Sequence, residues 1–366
     1  MARIVLVAPG RGTYGKSELG YLSRFQEHPR FSERERLVGE ADEMRRRRSQ
    51  PTVSELDAAQ RFSSALHLPG ENASALIFTC TAADAALLNP DHEVVAVVGN
   101  SMGWYSALYL CGALGFAEAF RLVNEMGLQQ RGNVRGGQII YPLVEDHDWR
   151  PRRGSLEKVL ELARSVSDDD AQALAAQGEP PSESACWAGL SIRLGGYAVL
   201  GGTPSGLEAM SEKLPPVTRN GRQFPLQLAY HSAFHTPLME PLSRFARRKL
   251  NDLEWHQPHT PAIDGRGAQW KPMQTLAEAL SLYTLEEQVL RPFDFSAAVR
   301  VAALEYNPDH FVLLGPGESL GGALAQVLIA EGWRGLSDRE SFQKAQRSGQ
   351  PPLISLNRLN QAASII

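Results

Sequence analysis

Apolar residues along the chain follow two rhythms. Nearly continuous apolar runs at about 3–8, in "ARIVLVAPG", and at 93–98, "EVVAVV", have no polar face. Strands buried on both sides read this way, which predicts a parallel sheet covered by helices. Between and after these runs the spacing becomes helical. A charged segment from Ser32 to Arg48 is stopped by "SQP", small and apolar residues fill 55–88, and a further helix covers 117–130. From 191 to 231 the order is strand, helix, strand, in "YAVLGG", "SGLEAMSEKL" and "FPLQLAYH". Beyond 236 the pattern is helical to about 252, then come "TPAIDG", a helix near 276–290 and the strand "HFVLLG". The alternation predicts an α/β fold.

Two stretches break the rhythm. Residues 145–185 hold "WRPRRG", "SDDD" and "GEPPSES" around one amphipathic segment, "SLEKVLELARSV", and read as an insertion on a smaller subdomain. Residues 351–366 lack an amphipathic period and read as a surface tail.

Composition narrows the class. At 366 residues, 43% hydrophobic and 21% charged, the chain can bury a large core and is neither disordered nor membranous. A net charge of -4 gives no reason to expect nucleic acid as a partner. The first apolar run is too short for a signal peptide or a spanning helix. Cys80, Cys111 and Cys186 are too scattered for a disulfide framework or a zinc knot. A cytoplasmic protein with reduced thiols, no metal and no membrane partner is the expectation.

The chemistry centres on "VVGNSMGWYSAL", residues 97–108. Gly99-Asn100-Ser101-Met102-Gly103 fits the G-x-S-x-G elbow, in which glycines relieve crowding around a strained turn that exposes the serine at a helix N-terminus. An ordinary tight turn with a capping serine fits the same residues. The serine needs a base, and "AYHSAFHTPLMEP" offers His231 and His235. Their spacing of four suits a metal pair, but Ser232 stands where the H-E-x-x-H motif requires glutamate. Spacing alone does not choose between a catalytic and a structural role for His235.

In that order along the chain, "APGRGTYG", "GNSMGWYSAL", "SAFHTPLMEP" and "LLGPGESLGGALAQ" resemble the signature blocks of the malonyl-CoA:acyl-carrier-protein transacylase and polyketide synthase acyltransferase family. The resemblance runs from residue 3 to about 330 and leaves 145–185 unmatched. It implies an α/β-hydrolase-like large subdomain with a parallel sheet, residues 1–128 and 227–350, and an inserted ferredoxin-like small subdomain, residues 129–226. It further implies Ser101 as nucleophile, His235 as general base, the Gln288 main-chain carbonyl orienting that histidine, and the backbone N–H groups of Arg11 and Met102 as oxyanion hole. The implied reaction is ping-pong, from a coenzyme A thioester or a phosphopantetheinyl carrier through an acyl ester. No bound cofactor is required, and the implied partner is an acyl carrier protein.

Departures from the family blocks bear on the acyl group. Where malonyl-type members hold the free carboxylate with an arginine, "RLVNEMG" puts Met126, and Asn100 replaces the usual histidine before the nucleophile. Met126 and Phe234 suggest an apolar acyl pocket and an acyl group without a free carboxylate. Arg11 and Arg193 are the alternatives, as a relocated carboxylate clamp. A carrier-protein acyl hydrolase using the same residues, with water as acceptor, is the rival from another reaction class. An unrelated esterase and a non-catalytic docking module fit less well. The first would place its histidine nearer the C-terminus, and the second has no use for Ser101 and His235. Trp104, the run Arg45–Arg48 and the cluster around Arg247 stay open between packing, solvated helix ends and docking.

Overall fold

The computed structural model describes residues 1–131, 134–219 and 221–366. The apolar runs become the middle of a six-stranded sheet, ordered Gln269–Trp270, Ala262–Ile263, Glu93–Gly99, Arg3–Ala8, His310–Leu313 and Leu353–Ser355. All neighbours are parallel except the first pair. Ile4, Val5, Val7, Val97, Val98 and Phe311 are fully buried, as strands covered on both faces require. A long helix on this sheet, Gly70–Ala85, is apolar nearly all round and correspondingly buried along its length.

A five-stranded sheet builds the second subdomain, in the order Phe293–Asp294, Ala188–Leu194, Tyr197–Gly202, Gly137–Pro142 and Leu226–Gln227. With the helices Ser155–Val166 and Pro204–Lys213 between its strands, its last four members trace the β-α-β-β-α-β path of a ferredoxin-like unit. The 145–185 stretch therefore needs correcting. Its amphipathic helix is part of the unit, with Val159 and Ala163 packed in the same small core as Leu200, Leu207 and Met210.

Side-chain alternation divides this small sheet. Ile139, Tyr141, Ala198 and Leu200 face its own helices. Ile140, Ile192, Leu194, Tyr197 and Val199 face the large subdomain across a cleft. The strand Phe293–Asp294 comes from the large subdomain and pairs in parallel with Ile192 and Arg193, tying the two units together beside that cleft.

The expected surface tail is also corrected. Leu353–Ser355 is the edge strand of the central sheet, and Ile354, Leu356, Ala362 and Ile365 are buried. Three residues are too few to show a period, which is why the pattern concealed them.

Buried polar groups fix the loops around the cleft. The Arg34 guanidinium donates to Asp84 at 2.8 Å with both side chains fully buried. Asp84 also accepts the Gly315 N–H at 2.9 Å and lies 2.6 Å from the Tyr21 hydroxyl. This network holds the "GPG" turn in front of the helix Ser319–Ala330.

Candidate active site

The strand Glu93–Gly99 runs into the cleft and turns sharply into the helix Gly103–Leu110. Ser101 at the turn has a φ of +55°, a left-handed conformation disfavoured for a side-chain-bearing residue. The flanking glycines have a steric cause. A Cβ on Gly99 would lie 2.1 Å from the Gly103 carbonyl oxygen, and one on Gly103 would lie 2.3 Å from the Ala8 oxygen. No larger residue fits either position, so the glycines permit the close packing of elbow, first strand and helix.

His235 meets Ser101 from the other side. It is fully buried, with a φ of +62°, and its backbone N–H donates to the Val289 carbonyl at 2.8 Å. Its Nε2 lies 2.7 Å from Ser101 Oγ, and its Nδ1 lies 2.6 Å from the Gln288 carbonyl oxygen. The carbonyl accepts from Nδ1–H, which leaves the Nε2 lone pair to accept the serine proton.

The Gln288 carbonyl is free for a local reason. It lies in the last turn of a helical segment that stops at Leu290, and the residue four positions on, whose N–H would close the next helical bond, is Pro292, which has none. The Gln288 side chain braces the nucleophile as well. Its Nε2 donates to the Ser101 carbonyl at 3.1 Å, and its Oε1 accepts from the Tyr105 hydroxyl at 3.0 Å. This second role was invisible in the sequence, because nothing there says which side chains reach the elbow.

Trp104 packs rather than lining the cleft. It is fully buried, stands edge-on to Tyr283 and donates its Nε1–H to Thr284 at 3.0 Å. It thereby anchors the π-helical turn Tyr283–Glu287 that delivers Gln288.

Burial pushes the His235 imidazole down to about 4, against the Gln288 hydrogen bond that favours the cation, and the nearby Arg11 guanidinium lowers it further. Arg11 is itself lowered to about 10 by burial. His231, which the sequence offered beside His235 as a candidate base or half of a metal pair, lines the same cleft, and burial and Arg11 push it down to about 3. Its Nδ1 lies 2.8 Å from the Ala229 carbonyl. Among the described residues no three His, Cys, Asp or Glu side chains gather as a metal site.

The cleft has a volume of about 320 Å³. Asn100, Met102, Met126 and Phe234 all line it, as does the Arg11 side chain. Arg193 does not, and its place in the acyl pocket is corrected. Ile192 and Leu194 take the cleft face of their strand, so Arg193 points away, half exposed, with its guanidinium 3.4 Å from Asp294. The backbone N–H groups of Arg11 and Met102 have no partner among the described residues.

The remaining basic clusters divide. Arg45 is buried and donates to Asn72, Asn124 and the Glu71 carbonyl, so it is structural. Arg46 and Arg47 pair with Glu43, and Arg247 pairs with Glu286 at 2.6 Å.

A left-handed serine facing a carbonyl-oriented imidazole in an α/β fold is arranged for chemistry that passes through an acyl ester. The relatives agree. The chain is 25% identical over 257 residues to the malonyl CoA-acyl carrier protein transacylase of Staphylococcus aureus (strain COL), covering 69% of this chain and 72% of that protein. Its fold superposes on the malonyl-CoA:acyl carrier protein transacylase of Xanthomonas oryzae pv. oryzae with a TM-score of 0.71 at 17% identity, covering 100% and 97% of the two chains. A type II polyketide synthase malonyl-transacylase, solved in complex with its acyl-carrier protein, gives 0.70 at 18% identity, covering 99% and 98%. No protein-family model matches the chain. The chain is thus similar in sequence to malonyl-CoA:acyl-carrier-protein transacylases and shares their fold.

Proposed function

We propose that this protein transfers an acyl group from a thioester donor to the phosphopantetheine thiol of an acyl carrier protein, through an ester on Ser101. The observation that carries the reading is the continuous hydrogen-bonded path from Ser101 Oγ through His235 to the Gln288 carbonyl, at 2.7 and 2.6 Å.

Ser101 Oγ attacks the thioester carbonyl as its proton passes to His235 Nε2. The oxyanion forms against the N–H groups of Arg11 and Met102, donors worth about 2.7–4 kcal/mol each at such sites. The C–S bond breaks, and the departing thiolate takes the proton from His235. The second thiol then gives its proton to His235 and attacks the ester. Ser101 Oγ leaves and recovers the proton, so the enzyme returns unchanged.

The wall at Met126 is apolar, and the acyl chain lies along it. By the family resemblance Met126 stands where malonyl-type members have an arginine, and its buried thioether brings no charge to that wall.

Intact-protein mass after mixing with acyl-CoA thioesters tests the first half-reaction. We expect one acyl group per chain on the native protein and none on Ser101→Ala. An adduct that survives Ser101→Ala, or free acid released with no adduct at any time, refutes the transfer reading, and the latter points to a hydrolase.

A further inference from the structure

Gln138 is a buried amide on the cleft wall for which the transfer reaction has no use. It lies on the strand Gly137–Pro142, on the same face as Ile140, and lines the cleft. Its Nε2 is 2.7 Å from Ser191 Oγ and 3.4 Å from the Phe234 carbonyl oxygen. The Ser191 hydroxyl gives its own proton to that same carbonyl, at 2.8 Å. Both neighbours therefore accept, which fixes the amide with its NH2 group toward them and Oε1 turned away. Among the described residues nothing donates to that oxygen, so the wall carries an open acceptor.

Ser74 repeats the pattern from the large subdomain. Like Gln138 it is only 3% exposed and lines the cleft. Thr79 and Thr81, on the same helix, each donate to the carbonyl four residues back at 2.8 Å. The Ser74 hydroxyl makes no such bond and has no other partner among the described residues. Two further acceptors of cleft-lining residues, Asn100 Oδ1 and Gln130 Oε1, are buried without a partner.

Water serves such groups while the cleft is open. An entering acyl group displaces it, and a plain hydrocarbon leaves the acceptors bare, whereas a hydroxyl replaces the bond that water made. A carboxylate has no proton to give them. An ammonium group has, but the Arg11 and Arg222 guanidinium groups line the same cleft and oppose a second cation. A neutral donor remains.

Resting on the acyl-transfer reading, we infer that Gln138 selects acyl groups bearing a hydroxyl, which donates to its Oε1 while the rest of the chain lies along the Met126 wall. The hydroxyl belongs near the thioester end. Gln138 is bonded to the carbonyl of Phe234, the residue before the base His235, so its amide stands on the His235 side of the cleft, and carbons 2 and 3 of the acyl chain are the ones that pass it.

The test is competition among four coenzyme A thioesters, hexanoyl, 2-hydroxyhexanoyl, 3-hydroxyhexanoyl and malonyl, with occupancy of Ser101 read by intact-protein mass. One hydroxylated donor is expected to outcompete hexanoyl by about tenfold or more. Gln138→Met removes the acceptor at similar volume and should lower that ratio by about tenfold. Gln138→Glu loses the same two donations, to Ser191 and Phe234, but keeps an acceptor, so it slows every donor alike and retains most of the ratio. Hexanoyl labelling as fast as both hydroxylated donors overturns the proposal, as does a ratio unmoved in Gln138→Met. A ratio lost equally in both variants shows that Gln138 only holds Phe234 in place, and overturns it too. Malonyl labelling alone overturns the hydroxyl selection and leaves acyl transfer standing. If no donor labels Ser101, the acyl-transfer reading itself fails, an outcome separate from any change of ratio.

Discussion

The His235 imidazole is held neutral by burial, with a pKa lowered to about 4 from an ordinary 6.5, so it remains a competent base well into acid. Ser101 acylation should therefore hold its rate as pH falls through 6.5 and decline only as it nears about 4, measured as single-turnover labelling against pH. An acid limb centred at 6.5 would show that the imidazole is solvated. Stability moves differently. Below 6.5 the unfolded chain binds a proton that the folded imidazole refuses, so His235 makes the fold progressively less stable between 6.5 and about 4. His235→Ala should slow acylation by about 10²–10⁴-fold. Gln288→Ala keeps the carbonyl that orients the histidine and loses the brace on the Ser101 peptide and the acceptor for the Tyr105 hydroxyl, so its loss in the same assay should be well below that of His235→Ala.

Residue by residue, the sequence disclosed the motifs and concealed the directions. Ser101 was legible because its glycines answer a steric demand within five residues. His235 was legible only through the family blocks, since its partner lies 134 residues away. Arg193 was misplaced although the alternation of Ile192, Arg193 and Leu194 already puts the arginine on the opposite face from two apolar neighbours. Which face meets the cleft is set by the strands on either side. The amide of Gln288 and the neutral state of His231 depend on tertiary neighbours and left no local trace.

Among the elements, the helical segment Gln288–Leu290, stopped ahead of Pro292, governs the site. Pro292→Ala supplies an N–H able to continue the helix and releases Arg291 from its extended conformation, φ -112° and ψ 149°, so the Gln288 carbonyl gains a competitor for His235. Acylation should slow while the melting temperature changes little. Asp84→Ala should do the reverse of a local change. It strands the buried Arg34 cation and unties the Gly315 turn, with a loss of about 3–5 kcal/mol in denaturant unfolding. The strands at 3–8 and 93–98 were plain from their apolar runs, whereas the final strand was not. Three residues in an edge strand carry no periodicity, and Ile354 and Leu356 gain their meaning only beside Phe311 and Leu313. Truncation after residue 350 removes that strand, and the shortened chain should lose its cooperative melting transition.

At the scale of the whole molecule, two subdomains of different construction share one cleft. The large one supplies the nucleophile, the base and the glycine-rich turn. The small one contributes the apolar face of an antiparallel sheet, joined by the strand Phe293–Asp294. The acyl lining draws on both, with Val123, Met126 and Phe234 from the large subdomain and Ile140, Ile192 and Val199 from the small one. The central claim is that the acyl group passes through Ser101 to a carrier thiol. It is tested most directly by mixing isolated acyl-Ser101 protein with a phosphopantetheinylated acyl carrier protein and following both masses in one time course. The account predicts that acyl mass leaves Ser101 and appears on the carrier before free acid accumulates, and that carrier lacking the phosphopantetheine arm leaves the ester intact. Free acid released at the same rate with and without the carrier, and no acyl-carrier formed, would contradict it.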